Sequence, residues 1–325
     1  MKRTLKDYLL LLLKGMAMGA ADVVPGVSGG TIAFISGIYE EFLNSLKSIN
    51  LDAFKALKTG GIPGVWKHVN GNFLLALFLG IGISLVSLAK VFTYLLEHQP
   101  VLVWAFFFGL ILASVFFVGR IVRKWNALNA VAVLIGAVIA WVLTGLPSFP
   151  GNDAYWYVFL SGLVAICAMI LPGISGSFIL LILGSYQFIL GSLKDFKVAI
   201  IAVFMAGCVT GLLSFSRLLS WLFKRYHDFT VAILTGFLIG SLRKIWPWKH
   251  VEEIYVKHAG EPDEEVIHLV ETNVLPGGYD LPQVTGEQIT GYTSTDPQLL
   301  FAIGCALVGF VIIFGLERLA VSKTD

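Results

Sequence analysis

The chain has 325 residues, of which 57% are hydrophobic and 14% charged, with a formal net charge of +2. Charged residues make up about 25% of an ordinary soluble domain, and here the mean hydropathy is +0.82. A soluble globular protein is therefore excluded, and so small a charge excess gives no ground for a nucleic-acid partner.

Several stretches stay apolar for about 18 residues or more, the length of a membrane span. In chain order the expected segments begin with two arms, about 5–24 and 29–47, around a break at "VPGVSGGTI". Lys14 interrupts the first apolar run, so it reads as a retained segment rather than a cleaved leader. A polar stretch follows at about 48–70, then spans at about 72–96, 100–119 and 127–146. A second pair of arms, about 155–171 and 175–193, surrounds "LPGISGSFI". Two further spans lie at about 197–222 and 228–243, then a polar segment 244–297 and a last span at about 298–316. Within 244–297 the alternation in "EEVIHLVETNV" and the turn "LPGGYD" predict a small β-hairpin. His250, His258 and His268 there match no metal-ligand spacing, and no metal or cofactor is expected. Cys167, Cys208 and Cys305 all sit in apolar runs and read as small core residues.

The two broken motifs lie 147 positions apart, and the same shift pairs Gly37 with Gly184, Tyr39 with Tyr186, and "SLK" 45–47 with "SLK" 192–194. Downstream the shift falls to 127, pairing Gly80 with Gly207, Lys90 with Arg217, Gly109 with Gly236 and Ser114 with Ser241. The last span aligns around Gly136 and Gly304. Shared Leu and Ile would follow from apolar helices alone; collinear Pro, Gly, Ser and a basic pair indicate duplication. Each half, 1–150 and 151–325, then holds two arms and three spans, so the halves run in opposite senses. The positive-inside rule agrees. With the N-terminus cytoplasmic, that side collects Lys2, Arg3, Lys6, Lys47, Lys55, Lys58, Lys67, Arg120, Arg123, Lys124, Lys224, Arg225, Arg318 and Lys323. The other side receives Glu252, Glu253, Glu264 and Glu265; Lys194 and Lys197 are mild exceptions.

The expected fold is an all-α polytopic membrane protein of two inverted repeats, each a re-entrant helix hairpin plus three transmembrane helices, an architecture typical of secondary transporters. In the first hairpin the charge-free part of the second arm, Gly29 to Tyr39, is roughly 16 Å long, about half the hydrocarbon core. The second hairpin has longer apolar arms, and its sequence leaves a full crossing open.

Pro25 and Pro172 lack an N–H and disfavour helix before them. Ser28 or Ser175 can then cap the next helix. The result is a helix N-terminus within the membrane, with unpaired amides suited to an anion such as phosphate. Candidate phosphate ligands are Gly26, Ser28, Gly29, Gly30 and Thr31 in the first copy and Gly173, Ser175, Gly176 and Ser177 in the second. Arg217, with Lys90, is the candidate countercharge. Asp22 and Glu40 are candidates for proton coupling, and local capping is open for Asp22.

Three stretches, "GAADVVPGVSGGTIAFISGIYE", "LPGISGSFILLILGSY" and "LTGFLIGSLRKIWPW", resemble the bacterial polyprenyl-phosphate transporters, over nearly the whole chain. The resemblance implies a carrier, not an enzyme, in the bacterial cytoplasmic membrane, and the charge distribution above puts both termini inside. It also implies flipping of undecaprenyl phosphate from the outer to the cytoplasmic leaflet for reuse in peptidoglycan and other envelope synthesis. The expected partners are that lipid and the membrane. A membrane enzyme acting on lipid phosphate and a transporter of small soluble anions are the alternatives. Enzymatic chemistry usually needs acid–base groups, and the histidines near spans, His98 and His227, sit at loop edges and are not repeat mates.

Overall fold

The computed structural model describes residues 3–23, 27–147, 149–257, 265–286 and 288–321. Helices come first: α1 (Leu5–Val23), α2 (Gly29–Ile35), α3 (Tyr39–Lys47), α4 (Leu51–His68), α5 (Gly71–His98), α6 (Pro100–Ile121) and α7 (Ala127–Leu143). The second half continues with α8 (Tyr155–Ile170), α9 (Gly176–Ile182), α10 (Tyr186–Lys194), α11 (Val198–Arg225) and α12 (His227–Ser241). Four strands follow, β1 (Lys249–Lys257), β2 (Glu265–Asn273), β3 (Asp280–Thr285) and β4 (Gln288–Ser294), before α13 (Leu299–Val321).

Helix ends follow local chemistry. Asn126 Oδ1 accepts the Asn129 amide at 2.8 Å to start α7, and Pro100 occupies the first turn of α6, where its missing N–H costs nothing. Among the described residues three helices are long and apolar enough to cross a membrane: α5, α6 and α11. The pair α9–α10 would make a fourth, but it is bent by 109°. α7, α8, α12 and the stretch Leu299–Phe314 of α13 are apolar and shorter. Large apolar side chains such as Leu134, Val138, Trp141, Leu300 and Val311 are exposed around the bundle, as suits a lipid-facing surface.

The most extensive helix pairs are α1 with α5, α8 with α11, α7 with α12, and α6 with α13. Close approach in each rests on glycine, because small residues let membrane helices pack backbone to backbone. A Cβ on Gly80 would strike the Leu12 carbonyl, and one on its mate Gly207 the Phe159 carbonyl. Gly136 and Gly236 face each other between α7 and α12. Between α6 and α13, Gly109 abuts the Ala306 backbone and Gly309 the Phe106 carbonyl, while Gly304 has open space around it. Gly309, five residues beyond the expected Gly304, therefore makes the contact that corresponds to that of Gly136.

Three expectations are corrected. The arm 29–47 is not one helix: α2 stops at Ile35, and Gly37 at φ +71° turns the chain into α3, as its mate Gly184 does at φ +64° between α9 and α10. The stretch 48–70 is helical as α4, started by Asn50 and kinked at Gly61 before Pro63; it exposes Leu57, Ile62 and Trp66. The protein is not wholly helical either. The described residues between 249 and 294 form two antiparallel strand pairs, β1–β2 and β3–β4, and "LPGGYD" supplies the 3-10 link between them at Pro276–Gly278 rather than a hairpin turn. A small apolar cluster of Val101, Ala105, Trp248, Tyr279 and Ala302 seats these hairpins on the ends of α6 and α13.

Candidate functional site

The two broken motifs meet at the centre of the bundle. In the first, α1 carries Lys14 and Asp22, about 12 Å apart along a helix, and α2 is about 10 Å long. Asp22 Oδ1 accepts the Gly29 amide at 2.7 Å, at the start of α2. Lys14 Nζ donates to the Ser36 carbonyl at 2.6 Å, at its C-cap. The carboxylate thus sits at the positive end of α2 and the ammonium at its negative end, matching the helix dipole. Ser28 Oγ accepts the Gly30 amide at 3.1 Å, and the Thr31 amide bonds the Ser28 carbonyl at 2.9 Å.

The second motif builds the same frame without charge. Ser161 stands where Lys14 does, and its Oγ lies 2.8 Å from Ser185 Oγ. Tyr157 donates its hydroxyl to the Leu183 carbonyl at 2.7 Å, at the C-cap of α9. Met169 replaces Asp22, leaving no carboxylate at the start of α9. Gly173, at φ +85°, makes the reversal after Pro172 in a backbone region that L side chains rarely adopt.

The motifs interlock. Ser28 Oγ is 3.1 Å from the Met169 carbonyl and 3.2 Å from that of Leu171. Tyr39 donates to the Ile170 carbonyl at 3.1 Å, and Thr31 Oγ1 accepts the Gly173 amide at 2.9 Å. The first motif therefore satisfies the carbonyls that α8 leaves open at its end. Gly30 is required for this approach, since a Cβ there would lie 2.5 Å from the Ile170 carbonyl oxygen. Phe34, Tyr39 and Phe223 hold the first hairpin to α11, with ring centroids 5.0–6.2 Å apart.

The expectation of unpaired amides at both helix starts is corrected for the first. A half-buried carboxylate and a buried hydroxyl occupy the amides of Gly29 and Gly30, because the chain supplies Asp22 one turn before the break. At the second, among the described residues, the amides of Gly176, Ser177 and Phe178 have no partner. Ser175 does not cap α9. Its hydroxyl is engaged with Ser177 Oγ at 2.8 Å, a residue that is glycine in the first copy. Gly26 lies outside the described residues, as do Pro25, His258 and Lys323.

Of the charged candidates, Asp22 is here, but Arg217 and Glu40 are not. Arg217 is exposed on the outward side of α11, whose Ser216, Leu219, Ser220 and Phe223 are buried. Lys90 lies on α5, the equivalent helix, and its side chain is outside the described set. Glu40 starts α3 at the end of the bundle away from the β-hairpins, 3.8 Å from His227 Nε2. There it lines a small pocket with Asn44, Ser220 and Lys224; Ser220 Oγ donates to Asn44 at 2.9 Å. His250 bonds Asp280 at 2.8 Å, joining the two β-hairpins. Among the described residues no group of three His, Cys, Asp or Glu side chains could hold a metal. Lys14, Tyr157 and the cross-motif bond of Tyr39 were not foreseen; a lysine eight residues before an aspartate in an apolar run was the available signal.

Residues 18–262 match the family model described as undecaprenyl phosphate translocase-like. A Vibrio cholerae protein named polyprenyl-phosphate transporter is 45% identical over 314 residues, covering 97% of each chain. A Staphylococcus aureus protein of the same name is 30% identical over 254 residues, 73% of this chain and 85% of its own. No solved structure matches at a significant level. By the extent of these matches, the chain belongs to the undecaprenyl phosphate translocase-like family, a family of multi-pass membrane proteins.

Proposed function

We propose that this protein carries a polyprenyl phosphate, undecaprenyl phosphate in the cell, from the outer to the cytoplasmic leaflet of the bacterial inner membrane. It does so without covalent chemistry. The observation that carries the reading is the asymmetry of the two central motifs, taken with the name of the Vibrio cholerae relative. The first motif has its own anion, Asp22. The second offers the amides of Gly176, Ser177 and Phe178 beside the hydroxyls of Ser175 and Ser177, a neutral donor set suited to a phosphate.

The headgroup docks on the second motif, and the first serves as the structural half that holds it open. Arg217, exposed on α11, and Lys90 on α5 meet the phosphate on its way in and out of the bundle, while the prenyl chain stays in lipid. Two inverted repeats, 1–150 and 151–325, rock about this point with both termini cytoplasmic. The exchange of partners between halves supports the repeat reading: α6 pairs with α13 and α7 with α12, as a pseudo-twofold relation requires.

The test is leaflet-to-leaflet movement of a labelled polyprenyl phosphate in liposomes holding the purified protein. Movement that falls at least tenfold in Arg217→Ala and in a Ser175→Ala/Ser177→Ala variant supports the assignment. Equal movement in all variants refutes the site and leaves the carrier. Absence of protein-dependent movement, with soluble phosphate transported instead, refutes the carrier.

A further inference from the structure

At the β-hairpin end, four separate elements converge on a basic cluster. Lys244, just past α12, places Nζ 3.1 Å from Glu271 Oε2; Lys249, on β1, places Nζ 2.9 Å from the same oxygen. The side chains of Lys249, Glu271 and Lys244 are 7%, 14% and 20% exposed. Each ammonium also lies on an aromatic face: Lys249 Nζ is 4.2 Å from the ring centre of Trp104 on α6, and Lys244 Nζ is 4.9 Å from that of Phe178 on α9. Trp246 and Trp248 anchor the strand root through the Val274 and Pro297 carbonyls, both at 2.8 Å.

We infer that Lys244 and Lys249 form a receptor for a phosphate monoester at this face, for which the Glu271 carboxylate competes. The inference rests on the carrier reading above and adds to it the point of first contact. Several observations lead there. Two ammonium groups converge on one oxygen of one carboxylate, whereas a phosphate monoester brings a charge of about −1.5 to −2 and three acceptor oxygens. Burying an ion cluster is a poor source of stability compared with apolar packing, so its upkeep points to use. The aromatic faces hold the two ammonium groups in place without neutralising them, leaving their charge for an anion. Trp104, Trp246 and Trp248 lie at one end of the bundle, the level at which tryptophan meets lipid headgroups. Phe178 joins the cluster to the second central motif, so a phosphate released by the lysines is next to that site.

The experiment measures binding to the full chain in nanodiscs, with farnesyl phosphate, farnesol and inorganic phosphate as probes. Wild type is expected to bind farnesyl phosphate and not farnesol. Lys244→Gln is expected to raise the Kd about tenfold or more, the loss of one charge-assisted hydrogen bond. Lys249→Gln does the same, while Glu271→Gln lowers the Kd by removing the competitor. Inorganic phosphate bound with the same losses supports the receptor and assigns it to free phosphate rather than to a lipid headgroup. Unchanged affinity in folded Lys244→Gln and Lys249→Gln proteins that still move lipid overturns the receptor and spares the carrier. Failure of wild type both to bind the probe and to move lipid overturns both readings.

Discussion

Ser28 and Ser175 occupy the same place in the two motifs, and the structure assigns them unequal work. Ser28 Oγ caps α2 through the Gly30 amide and faces the Met169 and Leu171 carbonyls across the motif junction. Ser28→Ala removes a cap, worth about 1 kcal/mol, and strands a buried carbonyl, worth about 1–3 kcal/mol. The sum is roughly 2–4 kcal/mol. Ser175 makes one hydroxyl contact, to Ser177, and caps nothing, so Ser175→Ala should cost about 0.5–1.5 kcal/mol. Thermal unfolding of the two purified variants in the same detergent gives the comparison. The mid-range difference is about 2 kcal/mol, and with about 2–4 °C of Tm per kcal/mol Ser28→Ala should melt about 4–8 °C below Ser175→Ala. Equal losses would mean that the junction bonds of Ser28 do not hold the motifs together, and the assignment of a structural role to the first motif would fail.

Gly30→Ala places a methyl group against the Ile170 backbone; parting the motifs should cost about 1–3 kcal/mol, seen as a lower Tm and lost transport. Asp22→Asn keeps an acceptor for the Gly29 amide and should retain most stability and transport, whereas Asp22→Ala strands that amide at about 1–3 kcal/mol. Transport abolished alike by both would make the Asp22 proton, rather than its cap, the essential feature. Burial brings Lys249 down to about 8 from 10.5 despite Glu271. Between these values the unfolded chain binds the extra proton, so stability should rise with pH from about 8 to about 10.5 and be independent of this group below 8, where both states are protonated. Melting curves across this range should show that slope in wild type and lose it in Lys249→Met; a slope that survives the substitution rejects the assignment.

The apolar runs disclosed the helices because a chain in lipid must satisfy its backbone within each segment, and the PG motifs disclosed the breaks because proline and glycine act locally. The second break in each hairpin, at Gly37 and Gly184, carried no proline and depends on a single left-handed residue. The capping of α2 by Asp22 could not be read from spacing, since it requires knowing that α1 and α2 fold flat on each other. Arg217 looked central by its burial cost in lipid, yet side-chain direction is set by the packing of Ser216 and Ser220 toward the core. The strands at 249–294 showed alternation, but their seating on Trp104 joins residues too far apart for any local pattern.

The pairing of α6 with α13 also bears on how the protein is made. Gly109 and Gly309 are 200 residues apart in the chain, and at about 5–20 residues per second roughly 10–40 s of synthesis separate them. Until α13 is released, the glycine groove of α6 faces lipid or an insertion chaperone rather than its partner. A message truncated anywhere before residue 299 yields a polypeptide with that groove permanently uncovered, a defect that membrane quality control can recognise.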